Sequence, residues 1–213
     1  MWLPQSIKSG RLISGLAVIL LAAGCASGPK PERAAAAAGG QSGDVREVPP
    51  QAQTLYEQAV ASMAAGDTID AELRFQEFLL QYPDYPGAHV NLAIIFVARD
   101  DLQAAENSLT DALIIDPENA AALNQLGLLE RKRGNFDLAE DAYVKAITAD
   151  PDYALALYNL GVLYDLYLKR LDEALLYYEQ YQSLVGEDQQ VGRWIADLKR
   201  RISATQRTAN VTE

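Results

Sequence analysis

Three prolines recur at a fixed interval and constrain this chain more than any other feature. Pro83, Pro117 and Pro151 stand 34 residues apart, and each follows a stretch whose apolar residues have helical spacing. At the same period Ala59, Ala93, Gly127 and Gly161 form a column of small residues. Ala71, Ala105 and Ala139 form a second, which Ala174 joins one residue late. Phe75, Leu109, Tyr143 and Tyr178 make a large apolar column, with Phe78, Ala112, Ala146 and Tyr181 three places further on. A period of about 20–50 residues predicts a solenoid, because each unit can bury its apolar face only against the units beside it. No alternating strand pattern occurs from about Gln51 onward.

The repeat resembles the tetratricopeptide repeat family, most clearly in NQLGLL…GNFDLAEDAYVKAITADP of residues 124–151. The resemblance covers about residues 52–187. It implies an all-α, right-handed α-solenoid of about four helix pairs over 51–187, with units at about 52–85, 86–119, 120–153 and 154–187. In each unit a first helix (A) and a second helix (B) pack antiparallel. Leu126 fills the core at one such contact while Gly127 admits the neighbouring helix, and Leu92-Ala93 and Leu160-Gly161 repeat the device. Gly66 and Gly134 fall in the A–B turn, where a left-handed residue ends helix A at low cost. The second unit has Asp100-Asp101 there, a polar turn. Each proline of the column ends helix B, since proline lacks a donor and fixes φ.

Two units depart from this pattern. Gln58 and Ser62 occupy slots that Leu92 and Phe96 fill one repeat later, which predicts either a looser repeat or a partly polar N-terminal cap. The fourth unit carries one extra residue within 165–170, before Leu171-Asp172-Glu173-Ala174, which predicts an atypical A–B turn, and Gly186 replaces the proline. Val191, Trp194, Ile195, Leu198 and Ile202 then share one helical face, so residues 188–205 are expected to cap the open solenoid end, with Trp194 in the capping core. Residues 206–213 read as a frayed tail.

Ahead of the array, Lys8 and Arg11 precede an apolar run from Leu12 to Ala23. That run is short of the ~20 residues a bilayer span needs, and with its basic start and small-residue end it reads as an export signal over residues 1–24. Cys25 is the only cysteine, so it forms no internal disulfide. Leu21-Ala22-Ala23-Gly24-Cys25 resembles a bacterial lipobox, which implies cleavage before Cys25 and lipidation of its thiol. Ala26 after the cysteine implies sorting to the outer membrane, facing the periplasm. The rest of 25–50, with Pro29, Pro31, Pro49, Pro50 and the alanines 34–38, has too few large apolar groups to order itself. It is expected to be a tether spanning roughly 25–30 Å.

The chain carries net charge −11, which becomes −13 without Lys8 and Arg11. Such a surface repels nucleic acid and favours basic segments of a protein partner. The segment 188–213 runs the other way, at +2, and reads as a solvated helix face near a C-terminal dipole. No enzyme is expected. His89 is the only histidine, so there is no histidine metal cluster, and it shares a packing column with Leu55, Leu123 and Leu157. The acidic pairs Glu140-Asp141 and Asp172-Glu173 read as solvated helix faces, and no phosphate loop or nucleophile motif occurs. Neither a cofactor, a metal nor a small-molecule substrate is expected.

The family resemblance implies a concave groove lined mainly by A helices. Its slots fall on Tyr56, Val60 and Met63, then on Val90, Asn91, Ile94 and Val97. The third unit supplies Asn124, Leu128, Arg131 and Lys132, and the fourth Tyr158, Asn159, Val162 and Asp165. As a set they make a groove that is apolar in its first half and mixed in its second. Relatives that clamp an acidic C-terminal peptide use Lys and Asn at set positions, whereas Tyr56 and Val60 stand where that clamp would begin. An amphipathic helix or an extended segment with apolar anchors fits better. The resemblance therefore implies a non-enzymatic outer-membrane lipoprotein that acts as a scaffold or adaptor for an envelope complex. Secretin pilotins and peptidoglycan-enzyme adaptors are organised in this way. The alternative is a module that self-assembles into homo-oligomers.

Overall fold

A computed structural model describes residues 49–211, with side chains as far as 207. The expected export signal, Cys25 and the tether up to residue 48 lie outside the described residues. Nine α-helices occur among the described residues, as four A–B pairs and a terminal helix. The pairs are α1 (Pro50–Ala64) with α2 (Thr68–Gln81), α3 (Pro86–Ala98) with α4 (Leu102–Ile115), and α5 (Ala120–Arg133) with α6 (Phe136–Ala149). In the fourth pair α7 (Ala154–Val162) continues into a π-helical turn at Leu163–Leu168 before α8 (Leu171–Val185), and α9 (Gln189–Val211) follows. This is an all-α solenoid.

Local chemistry sets the punctuation. All four A–B turns hold a left-handed residue: Gly66 at φ 82°, Asp100 at 64°, Gly134 at 83° and Lys169 at 58°. Asp67 and Asp101 follow the first two and accept from the backbone N–H of Asp70 and Ala104, capping α2 and α4. Before each column proline the residue is driven out of the helical region: Tyr82, Asp116 and Asp150 have φ between −133° and −140°, and helix B stops there. Gly186 does the same work with φ 81° and ψ −159°, a conformation open essentially to glycine alone.

The extra residue of the fourth unit is absorbed within helix A. The π-helical turn widens the end of α7, so Lys169-Arg170 retains the left-handed geometry of the other turns. The departure expected in the turn therefore lies one turn earlier. Helix α9 also runs past the expected end at 205 to Val211. No glycine or proline interrupts it beyond Gly192, and Ser203 and Thr205 hydrogen-bond back to the carbonyls of Lys199 and Arg201.

Packing follows the columns. A Cβ built on Gly127 would lie 2.6 Å from the Tyr143 ring, and one on Gly161 2.7 Å from the Tyr178 ring. Glycine is thus required for these tyrosines to lie flat on helix A. Phe75, Leu109, Tyr143 and Tyr178 are buried, each burial contributing about 1.5–3 kcal/mol. At the N-terminal end Gln58 and Ser62 brace a polar network, with Ser62 Oγ donating to Asp70 at 2.5 Å and Arg74 donating to Asp70 and Gln58. Those hydrogen bonds hold Asp70 ionised below the usual carboxylate range. At the other end Trp194 packs on Tyr158 and Tyr178, with centroids 6.0 and 5.5 Å away. His89 is half-buried. Glu140 differs from its expected solvated role: it accepts from the Tyr164 hydroxyl at 2.7 Å and from Arg170 at 2.9 Å, linking the third and fourth units.

Candidate partner-binding groove

Successive A helices pack on one another, α3 on α5 and α5 on α7, so the A layer is the inner side of the array. The residues assigned to that side divide into two groups. Val90, Asn91 and Asn124 are at most 1% exposed, and Asn159 is nearly as buried. These four are packing residues and offer a partner no accessible surface. The three asparagines join neighbouring repeats through two polar rungs, which the sequence alone does not reveal. Asn91 Nδ2 donates to the Tyr56 hydroxyl at 2.8 Å, and Asn159 Nδ2 donates to Asn124 Oδ1 at 2.9 Å. The middle interface has Val90 at the acceptor position and carries no such rung. Tyr56, the aromatic candidate for a partner anchor, is half-buried. Its ring stands edge-on to Phe75 and Phe78, at 5.7 and 5.6 Å, and burial pushes its phenol pKa up, partly offset by the Asn91 bond.

The remaining positions form a half-exposed stripe. Val60 and Met63 lean on the first core cluster, Ile94 and Val97 on the second, and Tyr158 and Val162 on the third. Leu128 is half-buried and belongs to none of these clusters. Lys132 is occupied structurally: its Nζ meets the Val97 carbonyl at 3.2 Å and Asp100 at 2.8 Å, closing the end of α3. Asp165 is likewise engaged, accepting from Arg201 of α9 at 2.8 Å. This ion pair ties the terminal helix to the π-helical turn.

Arg131 stands apart. Its side chain makes no hydrogen bond or ion pair among the described residues, and its Nη1 is buried without a partner. Its one defined contact is with the face of Tyr167, 5.8 Å from Cζ to the ring centroid, a cation–π geometry. The Tyr143 hydroxyl is also buried without a partner. Burial pushes that phenol up to about 12, with the charge of Arg131 pulling the other way. Arg131 acts in the same sense on Tyr158 and Tyr178, whose pKa values burial also raises.

Sequence reasoning missed a second surface. On the outer side of α2, Ile69, Leu73 and Leu80 are 68%, 60% and 86% exposed. Their spacing places them on one face, opposite Ala71, Phe75 and Phe78. A helix with large apolar residues on both faces was the available signal. A shallow cavity of about 430 Å³ lies between α4, α5 and α6, floored by Leu113, Leu123 and Leu126 and rimmed by Asp141 and Lys145. No described helix is long and apolar enough to cross a membrane.

Comparison with known proteins agrees with this geometry. Two family models for the tetratricopeptide repeat match residues 62–129 and 124–189. Among solved structures, PilF of Pseudomonas aeruginosa is similar with a TM-score of 0.64 and 24% identity, over 74% of this chain and 72% of that one. The thermophilic tetratricopeptide protein TTC0263 of Thermus thermophilus gives 0.63 at 25% identity, over 72% and 84%. MamA of Desulfovibrio magneticus gives 0.59 at 18% identity, over 76% and 92%. These are likenesses of fold. No curated protein sequence matches the chain.

Proposed function

Since the chain belongs to the tetratricopeptide repeat family, a fold of protein–protein interaction scaffolds, we propose that it holds a partner protein against the outer membrane, as a non-enzymatic, lipid-anchored adaptor facing the periplasm. The observation that carries the binding role is the stripe of Val60, Ile94, Val97, Leu128 and Val162. These half-exposed side chains recur on successive A helices, with Val60, Ile94, Val97 and Val162 packed against the core and Leu128 outside the core clusters. A monomer rarely leaves such a surface without use. Apolar anchors on neighbouring A helices suit an amphipathic helix or an extended segment with alternate apolar residues. The membrane role is supported by the basic start, apolar run and Ala-Ala-Gly-Cys ending of residues 8–25. The several acyl chains of a bacterial lipoprotein hold far better than a single chain, at ~0.8 kcal/mol per buried CH₂.

Crosslinking and affinity capture from detergent-solubilised envelopes test the binding role, with Leu128→Asp compared against wild type. Loss of the captured partner from a folded Leu128→Asp protein is the expected result; full recovery removes the groove from the account. The captured partner also decides between a secretin, a peptidoglycan enzyme and another envelope complex. Cys25→Ser is expected to leave the chain uncleaved or soluble, and membrane fractionation like wild type would end the anchoring assignment. Self-association is the second reading, favoured by the exposed Ile69, Leu73 and Leu80 stripe. Light scattering over a concentration series, with Leu80→Asp as the comparison, separates the two readings.

A further inference from the structure

We propose that the cavity between α4, α5 and α6 is an anchor site for one phenylalanine side chain of a partner protein, carried on a segment with basic residues beside it. The site uses other residues than the groove and stands without it. Ser62, Phe96, Glu130 and Tyr164 hold one place in successive repeats, 34 residues apart. Phe96 packs against two core clusters. Tyr164 is buried, with its ring centroid 5.6 Å from that of Tyr177. In the third unit both rings are missing. Glu130 stands in place of the first, and Ala142, the counterpart of Tyr177 one repeat earlier, in place of the second. Both residues line the cavity of about 430 Å³, a size common among ligand pockets.

The Glu130 side chain leaves this space because its carboxylate is held at the end of its own helix, accepting from Arg133 at 2.9 Å and Asn135 at 2.7 Å. Arg133 also donates to Glu106 of the preceding unit at 2.8 Å. That bond is one of three equivalent links between repeats, the others being Arg99 with Glu72 and Arg170 with Glu140. Arg133 therefore keeps a partner without Glu130, as Arg99 does beside Phe96. The cavity is open to a partner: Leu138 on its rim is 57% exposed, and Leu113 and Leu126 on its floor are half-exposed. Its carboxylates are all engaged, Glu130 by Arg133 and Asn135 and Asp141 by Lys145 at 2.7 Å. A phenol would bury its hydroxyl there without an acceptor, which costs free energy, so a phenyl ring fits better. The net charge of −11 favours lysine or arginine beside that ring. A second copy of the chain cannot supply it, because all four phenylalanines, Phe75, Phe78, Phe96 and Phe136, pack in its own core.

The test titrates the full chain, ¹³C-labelled at leucine methyls, with blocked pentapeptides Lys-Ala-Phe-Ala-Lys and its Tyr and Ala counterparts. Saturable ring-current shifts are expected at Leu113, Leu126 and Leu138, with Leu128 of the groove unmoved. The Phe peptide should bind roughly tenfold or more tighter than the Ala peptide and several-fold tighter than the Tyr peptide. Glu130→Phe, which copies Phe96, should fill the cavity, abolish the shifts and melt at or above the wild-type temperature. Leu138→Asp, at the exposed rim, should lose the preference for Phe while the fold is kept. Equal affinity for Phe and Ala peptides, shifts at Leu128 in place of the cavity leucines, or shifts that survive in Glu130→Phe each overturn the proposal. A fall of several degrees in the melting temperature of Glu130→Phe does so too, since the space would then not admit a ring. Light scattering in which Glu130→Phe dissolves a homo-oligomer would give the cavity to a second copy and overturn it as well. The groove reading survives all of these failures, because it is tested by Leu128→Asp.

Discussion

In the first two repeats the small residue of helix A is alanine, Ala59 or Ala93, and the large residue in the following B-helix column is Phe75 or Leu109. In the last two the small residue is glycine and the large one is tyrosine, with rings so close that a Cβ would stand 2.6–2.7 Å from them. Size is exchanged across the A–B contact so that the helix spacing is kept. The exchange also changes the chemistry. A phenylalanine or leucine ends in carbon, whereas a tyrosine lying on glycine carries a buried hydroxyl, subject to the charge of Arg131 in one repeat and of Asp165 in the next.

The strongest way to break this comparison is to force the second half to accept a large side chain. Gly127→Leu drives a side chain into the Tyr143 ring and is expected to cost roughly 3 kcal/mol or more, read as a lower melting temperature. Gly127→Ala should cost less, and Gly127→Ala with Tyr143→Leu, which copies the Ala93–Leu109 pairing, should recover part of that loss. An unchanged melting temperature for Gly127→Leu would disprove the repeat register itself.

Alkaline pH should sharpen the contrast next. The Tyr143 phenol rises from its ordinary 10.0 to about 12 because burial disfavours the phenolate. A raised folded pKa favours the protonated form, so this contribution is whole below pH 10 and is lost as the pH climbs through 12. Its size is about 2–3 kcal/mol. Phe75 and Leu109, the equivalents in the first half, do not ionise. Thermal melts at about pH 9 and about pH 11.5, on either side of the ordinary phenol value, are expected to show a smaller drop for Tyr143→Phe than for wild type. Equal drops would mean that the buried hydroxyl carries no such linkage.

The size exchange is legible in the sequence because Gly127 and Gly161 share a column and Tyr143 and Tyr178 share another. The polar parts are not. Whether Asn91 or Asn124 faces a partner or a neighbouring repeat depends on how closely A helices approach, a distance that no single repeat encodes. Tyr56 reads as an anchor because an aromatic at a groove slot looks available, and only its place beside Phe75 and Phe78 shows that its ring is also a packing residue. The extra residue of the fourth unit can be counted in the sequence, but the count points to the turn. A helix can instead take up one residue as a wider turn, and Lys169 keeps the left-handed position.

A smaller effect tests the rungs. Asn159→Ala leaves Asn124 Oδ1 buried without its donor and should cost about 1–2 kcal/mol. Replacing both, Asn124→Leu with Asn159→Ala, turns that interface into the rungless kind found around Val90, and should cost less than the single change. A double variant weaker than wild type by the sum of the two single losses would show that the asparagines act separately.

The smallest expected effect concerns the turns, where the two halves should look alike despite their different cores. Each half has one glycine turn, Gly66 or Gly134, and one turn in which a side chain is held at positive φ, Asp100 or Lys169. A side chain at left-handed φ costs about 1–2 kcal/mol, and glycine returns somewhat less than this because it loses more freedom on folding. Asp100 is a poor test, since its substitution also breaks the ion pair with Lys132. Lys169 has no ion pair among the described residues, so Lys169→Gly isolates the backbone contribution. It should stabilise the array by about 0.5 kcal/mol, a rise of a degree or two in melting temperature. Gly134→Ala should move it the opposite way by a larger amount, because alanine meets the strain with no gain in contacts. If Lys169→Gly lowers the melting temperature instead, the π-helical turn before it depends on the stiffness of that residue, and the fourth repeat does not share the turn chemistry of the other three.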